Sequence, residues 1–470
     1  MRIPAPPPDA RDLLAQIQGA GRLATVIEQA LPDGAPPGRY LPWDRFRFKN
    51  PPGDLTVEEW WFAVRLARRS VHRPIKHLRS TTGRPFSYAL PDEVLVAVDQ
   101  ITREASGHIT IFDEVTNPAT RDRYVVNSLI EEAITSSQIE GAATTRRVAK
   151  EMLRVGRAPR DHSERMIFNS YLAMQRIGEL RDADLTPELV CEIHRIITDG
   201  TLENPSSAGR MQTHDAERIA VHNTFGALLH ARPAAAELPE RMRRLCEFAN
   251  GGGTDHYLPP VLRAVTVHFM VGHDNYFEGG NGRTARALFY WTMLRNGYWL
   301  VEFLSISRLL QKASSQYGRS FLLTETDEGD LTHFFIHHVG VINRAIAELH
   351  RYLANKAAEI RELNQSLTAA PGIYNHRQLA LLDRALKEPS TWLTVRGHAT
   401  SHQVSGETAR QDLMDLEQRG LLHRGKSGRQ FAWAPVEDLH DRLIPHPLPG
   451  RSANQLDDPR PRRKGRHTSS

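Results

Sequence analysis

Two cysteines, Cys191 and Cys246, are all that 470 residues contain, without CxxC spacing and inside apolar helical patterns. This scarcity excludes a disulfide framework or a thiolate metal cluster and leaves two thiols expected to be buried in a reducing compartment. Long apolar runs are missing too: nowhere do eighteen apolar residues follow one another, so no membrane-spanning helix is expected. The opening stretch Met1–Ala10 is Pro-rich without an apolar segment, so no secretory signal is read there, and the expected location is cytoplasmic. The body of the protein also lacks charge of one sign. Lys and Arg number 60 against 55 Asp and Glu, a net of +5. Residues 451–470 hold six basic side chains (Arg451, Arg460, Arg462, Arg463, Lys464, Arg466) and two acidic ones (Asp457, Asp458), a net of +4. The other 450 residues carry only +1, so the basic balance belongs to a tail and gives no sign of a nucleic-acid-binding body.

What the chain does contain is ordinary for a globular protein, with 40% apolar and 24% charged residues. Its length suggests two or three domains. Residues 1–120 read as an N-terminal extension, with proline clusters, a helical stretch over Leu13–Leu31 and a Gly/Pro-rich passage around Thr82–Pro91 that suits a small hairpin. From Tyr124 to Ala370 the apolar period is helical: Val125, Leu129 and Ala133 repeat every four, and Leu258, Leu262, Val265 and Phe269 follow a 4-3-4 spacing. The fold class is therefore expected to be mainly α. One interruption, Arg218–His230, places Ile219, Val221, Leu228 and Leu229 around Asn223–Gly226 and predicts a lone β-hairpin. After Pro371 the order is helix, helix, helix (Gly406–Arg419), then two short strands around Gly425 and Gly428, which is a winged-helix order over 371–446. Residues 447–470 have no period and are expected to be a disordered basic tail.

The most informative string is Gly280-Asn281-Gly282-Arg283-Thr284-Ala285-Arg286. Two glycines allow a tight turn and close approach of backbone N–H groups, and the apolar period that follows begins a helix ending near Gly297. A glycine-lined helix N-terminus attracts anions, and Arg283 and Arg286 lie three apart on one face of its first turns, suited to phosphate. Phe277 extends the pattern. With it, the segment resembles the signature of the Fic (Fido) family, His-x-Phe-x-Asp/Glu-Gly-Asn-Gly-Arg-x-x-Arg, at Phe277, Gly280, Asn281, Gly282, Arg283 and Arg286. A second string, Ser136-Ser137-Gln138-Ile139-Glu140-Gly141, is similar to the family's inhibitory motif, Ser/Thr-x-x-x-Glu-Gly/Asn, and the hairpin at 218–230 matches the place of its target-docking flap.

The resemblance implies an inhibitory-helix region at 121–182, a Fic-type helical core at 183–350 with a β-hairpin flap, and a C-terminal winged helix. It also implies transfer of AMP from ATP to a hydroxyl side chain of an unidentified target protein. In that reading Gly280, Asn281, Gly282 and Arg283 position phosphates, Arg286 binds the γ-phosphate, and Glu140 pairs with Arg286 to shut the site.

The chain departs from the signature at two places. Asn275 stands where the family has its general-base His, and Gly279 where it has the Asp or Glu that holds Mg²⁺. An amide takes no proton near neutral pH, and a general base is worth roughly 10²- to 10⁴-fold. Without a carboxylate at 279, Mg²⁺ would rest on phosphates and water, so no metal-ligating side chain is assigned. His273 is expected to be packed or solvent-facing, with replacement of the lost base a lesser alternative, and Asp274 could reach a metal only through a remodelled loop. Two functions stay open: an autoinhibited, catalytically degenerate adenylyltransferase, and a nucleotide-binding pseudoenzyme that regulates through its winged helix. The winged helix offers either DNA or protein contact, with its Ser405–Arg419 helix at net −2 favouring protein. A homodimer is left open.

Overall fold

The structure, a computed structural model, describes residues 3–31, 39–106, 118–215, 218, 221–222, 228–369, 374–387, 392–427, 430–436 and 438–443. The chain divides into two compact units, Met1–Arg351 and Tyr352–Ser470. Asn223–Gly226, Gly428, Arg429 and the tail at 447–470 lie outside the described residues.

The first unit begins with α1 (Ala10–Gly19), α2 (Leu23–Ala30), α3 (Trp43–Phe46) and α4 (Val57–Val71). The helix expected over Leu13–Leu31 is two helices, because Gly21 takes a left-handed φ of 63° and turns the chain between them. Asp9 caps α1 by accepting from the N–H groups of Arg11 and Asp12, and Thr56 with Glu59 closes a capping box on α4. Leu13, Ile17, Val26, Trp43, Phe46 and Trp61 pack together as a small core. The hairpin expected over Thr82–Pro91 forms further upstream: β1 (Arg73–Arg79), before that passage, pairs antiparallel with β2 (Pro85–Tyr88), inside it, and α5 (Asp92–Ser106) follows.

The helical core follows: α6 (Pro118–Ile139), α7 (Arg146–Val155), α8 (His162–Glu179), α9 (Pro187–Thr198), α10 (Leu238–Ala249), α11 (Pro260–Asp274), α12 (Asn281–Arg295), α13 (Ile306–Lys312), α14 (Ser314–Thr326) and α15 (Thr332–Ala369), of which the part up to Arg351 belongs to this unit. Its centre is the pair α11 and α12. Every residue from Val261 to Val271 and from Arg283 to Met293 is buried, the polar ones among them, such as Arg263, His268, Arg283 and Arg286, included. α12 packs against α11, α9, α8 and α6, so the glycines at its start are surrounded by helices. Between α9 and α10 lies the short hairpin β3 (Val221–His222) with β4 (Leu228–His230). The protein is thus mainly helical, and strands among the described residues form only two-stranded sheets.

The second unit contains α16 (His376–Lys387), α17 (Val395–His402), α18 (Gly406–Gln418), an antiparallel ribbon of β5 (Leu422–Ser427) with β6 (Gln430–Pro435), and α19 (Leu439–Leu443). Leu382, Leu393, Leu413, Leu416 and Trp433 form its core. A buried carboxylate, Asp412, ties the three helices: it accepts from Arg377 at 2.8 Å, Asn375 at 2.8 Å and His398 at 3.0 Å. Burial alone would raise its pKa, but these hydrogen bonds outweigh it and hold the carboxyl at about 2.

Both cysteines are free. Cys246 is buried, and its surroundings push the thiol up to about 12, whereas Cys191 is only half-buried, because it lies on the outer side of the α9 stripe. Among the described residues no helix is long and apolar enough to cross a membrane.

Candidate nucleotide site

The start of α12 is shaped by three glycines with different tasks. Gly280 is the N-cap, with a φ of 73° that favours glycine, and a Cβ there would stand 2.6 Å from Thr198 Cγ2 on α9. Gly279 presents its carbonyl to His194 Nε2 at 2.8 Å, and a Cβ on it would meet Leu202 Cδ2 at 2.9 Å. Gly282 lies in the first turn, where a Cβ would come within 2.5 Å of Glu140 Oε1. Asn281 locks the turn through both arms of its amide: Oδ1 accepts from Phe277 N at 3.0 Å, and Nδ2 donates to Phe277 O at 2.7 Å.

Into this turn comes Glu140, just beyond the end of α6. Its Oε2 accepts from Arg283 Nε at 2.7 Å and its Oε1 from Arg286 Nη2 at 3.1 Å. Sequence reasoning paired Glu140 with Arg286 alone; the structure gives it both arginines, with Arg283 the shorter contact. Arg283 also donates to Ile197 O at 2.9 Å. Arg286 donates through Nε to Ser136 Oγ at 2.7 Å and through Nη2 to the Ser136 carbonyl at 2.9 Å. Both guanidiniums are buried, at 5% and 2% exposed, while Glu140 keeps an edge to solvent. Two desolvated cations thus share one carboxylate at the positive end of a helix, an arrangement that strongly favours an anion. Only about 10 Å³ remains open between Ser136, Ser170, Arg283 and Arg286, about one water and too little for a phosphate. Gly141, next to Glu140, has a φ of 98°, so the motif's Gly supplies the turn that aims the carboxylate.

Residue 275 stands at the other end of this loop. Asn275 is the left-handed C-cap of α11 (φ 52°, ψ 61°), its Nδ2 donating to Gly272 O at 3.1 Å. Asn accepts this conformation more readily than most residues. Its carbonyl accepts from Arg218 at 3.1 Å, and Arg218 also donates to the Asp274 carbonyl at 2.6 Å. His273 is packed, not solvent-facing: it is 3% exposed, and its Nδ1 donates to Asp274 Oδ1 at 2.9 Å. Asp274 is fully buried and also accepts from Tyr276 at 2.8 Å and Arg241 at 3.2 Å, so both its oxygens are engaged.

Sequence reasoning missed three residues that hold the site. His194 accepts from Gly209 N–H through Nδ1 at 2.9 Å, so Nε2 carries the proton that it donates to Gly279 O. Its ring stacks on Phe277 at 3.7 Å, and burial lowers its pKa to about 4, keeping it neutral. Arg218 clamps the end of α11. Glu132, one turn before Ser136, is buried and accepts from Ser305 Oγ at 2.9 Å and Ser307 N at 3.1 Å, with Tyr290 Oη 3.0 Å away, which fixes α6 to the start of α13. None of the three has a local signature, because each partner arrives from a different element.

This helical core places a glycine turn and two buried arginines at the start of one helix, a setting that favours an anion. Residues 184–293 match the model of the Fic/DOC family. Among solved structures it is similar to a Fic family protein from Desulfovibrio desulfuricans G20 (15% identity, 74% of this chain and 98% of that one, TM-score 0.48). It is also similar to a Fic domain containing signaling protein from Bacteroides thetaiotaomicron VPI-5482 (16%, 55% and 97%, 0.44) and to Fic-1 from C. elegans (19%, 57% and 72%, 0.43). No curated protein matches the chain.

Proposed function

We propose that this protein is an autoinhibited nucleotide-binding member of the Fic adenylyltransferase class whose transfer chemistry is impaired by its own residues. The observation that carries the reading is Glu140 seated over Gly282 between Arg283 and Arg286. Its carboxylate is itself an anion in the cradle, so the residues present fit a phosphate. With Glu140 withdrawn, Arg283 and Arg286 face the first turn of α12, and Gly282 leaves the backbone open to a phosphate oxygen. ATP held there would supply the adenylyl group. Arg283 and Arg286 would orient it and neutralise its charge, which is most of what phosphoryl-type transfer asks of a protein.

The remaining elements do not fit transfer. A target hydroxyl needs a proton acceptor, and the Asn275 amide is a poor one whose N–H is already donated to Gly272. Mg²⁺ does not fit either: Gly279 has no side chain and both Asp274 oxygens are occupied. Calorimetric titration of a Glu140→Gly variant with ATP tests the reading. Binding at least about tenfold tighter than wild type supports it, and no binding by either form rejects it. Incubation with labelled ATP tests the impairment, since robust self-labelling by the wild-type chain would contradict it.

We read residues 371–446 as a winged helix used for protein contact. The acidic side chains of α18 are engaged by neighbouring basic groups, Asp412 with Arg377, Glu407 with Arg410 and Asp415 with Arg419. That leaves little positive charge on its face for a phosphate backbone. Trp392 and Phe431 are exposed, at 43% and 58%, as suits a surface that docks another protein. Sequence-selective binding to one duplex at moderate salt would overturn this assignment.

A further inference from the structure

Beside the nucleotide site, at the base of the β3–β4 hairpin, three side chains from three elements converge. His230 ends β4, His273 is in the last turn of α11 and Glu325 in the last turn of α14. One ligand atom from each lies within 4.8 Å of the others. The two imidazole rings meet edge to face at 4.7 Å.

Their hydrogen bonds fix the tautomers. Both oxygens of Asp274 act as acceptors, Oδ2 toward Tyr276 and Oδ1 toward Arg241, so in the contact with His273 Nδ1, 2.9 Å from Asp274 Oδ1, the ring nitrogen is the donor. His273 Nε2 therefore keeps its lone pair. His230 Nε2 lies 2.7 Å from the His273 carbonyl, which only accepts, so that nitrogen also carries a proton and Nδ1 of the neutral ring keeps its lone pair. Yet Nδ1 of His230 is 2.9 Å from Glu325 Oε1. Two acceptors at that distance need a positive charge in common, either an extra proton or a metal ion.

The surroundings favour the metal. A histidine that ligates a metal typically donates its other N–H to a carboxylate or a backbone carbonyl, which sets the tautomer and raises ligand basicity. His273 does the first and His230 the second. We propose that His230, His273 and Glu325 form a binding site for a divalent transition-metal ion of the zinc class. Two imidazoles and one carboxylate suit Zn²⁺, Co²⁺ or Mn²⁺ far better than Mg²⁺, which prefers oxygen. Bonds of about 2.0–2.2 Å place tetrahedral ligand atoms about 3.4 Å apart, so Glu325 would retreat by about half an ångström. Because Arg218 ties the end of α11 to its own segment just before the hairpin, a metal there would fasten the hairpin base beside Asn275. A second cluster, Asp327, Asp330 and His333, meets the same distance test. It is an ion-pair network instead: Arg65 faces Asp327, and Tyr40 and Thr332 donate to Asp330.

The test uses the full chain, stripped with a chelator and titrated with Zn²⁺ by calorimetry, with Co²⁺ as a visible-absorption probe. The expected result is one ion per chain and a Co²⁺ spectrum of a four- or five-coordinate nitrogen–oxygen site. His230→Gln and Glu325→Gln, both at partly exposed positions, are each expected to weaken Zn²⁺ by at least about tenfold. Asp274→Asn should weaken it less. Circular dichroism and melting curves confirm that the variants fold. No stoichiometric uptake by the wild type, or uptake unchanged in both folded glutamine variants, overturns the proposal. With Zn²⁺ added in excess, ¹⁵N chemical shifts that still show two protonated nitrogens on His230 would identify the shared charge as a proton and overturn it as well.

Discussion

A Cβ on residue 282 would stand 2.5 Å from Oε1 of Glu140. The two residues fit together only because one of them has no side chain. The same gap that admits the Glu140 carboxylate would admit a phosphate oxygen, so under the proposed function Glu140 and a nucleotide are expected to compete for one spot.

Glu140→Gly leaves Arg283 and Arg286 buried without their shared counter-ion. Removing one partner of a buried pair costs about 3–5 kcal/mol, less here because Glu140 keeps an edge to solvent. The variant is expected to melt several degrees below wild type in buffer and to recover when ATP is added. A melting point unchanged in both conditions would contradict the clamp.

Gly282→Ala separates inhibition from binding. Its Cβ should displace Glu140 and lower stability as Glu140→Gly does, yet ATP should bring no recovery because the methyl also blocks the phosphate approach. Recovery equal to that of Glu140→Gly would show that the anion lies elsewhere.

Asn275→His together with Gly279→Asp is expected to raise self-labelling from labelled ATP and Mg²⁺ in a Glu140→Gly background, by about 10²-fold or more. Histidine also tolerates the left-handed φ of 52° at position 275. At 279 the new Cβ would meet only the tip of Leu202, 2.9 Å away, which can rotate aside, so little stability should be lost. No gain in labelling from a folded, ATP-binding variant would mean that more than two groups have been lost.

Acid should destabilise the first unit through its buried histidines. Burial lowers His194 to about 4, His268 to about 3 and His337 to about 4. Unfolded, these rings take up protons near pH 6.5; folded, only near 4 or below. The unfolded state therefore binds more protons between those values, and stability is highest above pH 6.5 and falls toward pH 4. Each ring withdraws up to about 1.4 kcal/mol per pH unit in that window. Urea midpoints that stay constant from pH 7.5 to 5 would refute this.

Much of the core was legible because its period is local. Leu258, Leu262, Val265 and Phe269 are all buried, and the string from Gly280 to Arg286 does begin a helix. Glu140 was placed by its short motif, yet its contact with Arg283 was not foreseen, since only the path of α6 across α12 decides which guanidinium is nearer. Leu13–Leu31 looked continuous because the break depends on the backbone conformation of Gly21. His194 lay hidden in an apolar helical stripe, where a lone histidine looks like filling, and its role depends on the Gly279 carbonyl, 85 residues away.

α6 ends at Ile139, and Glu140 occupies the turn after it, held by backbone bonds to Ser137 and Gln138 around a left-handed Gly141. The Glu140 carboxylate is thus mounted on a turn rather than on the helix barrel. Glu132 and Ser136 can keep α6 docked while one or two backbone torsions at the turn swing Glu140 outward. Activation would then resemble lifting a latch: a local and rapid event, invisible to probes of helix content and open to any partner that grips the edge of Glu140 left facing the solvent.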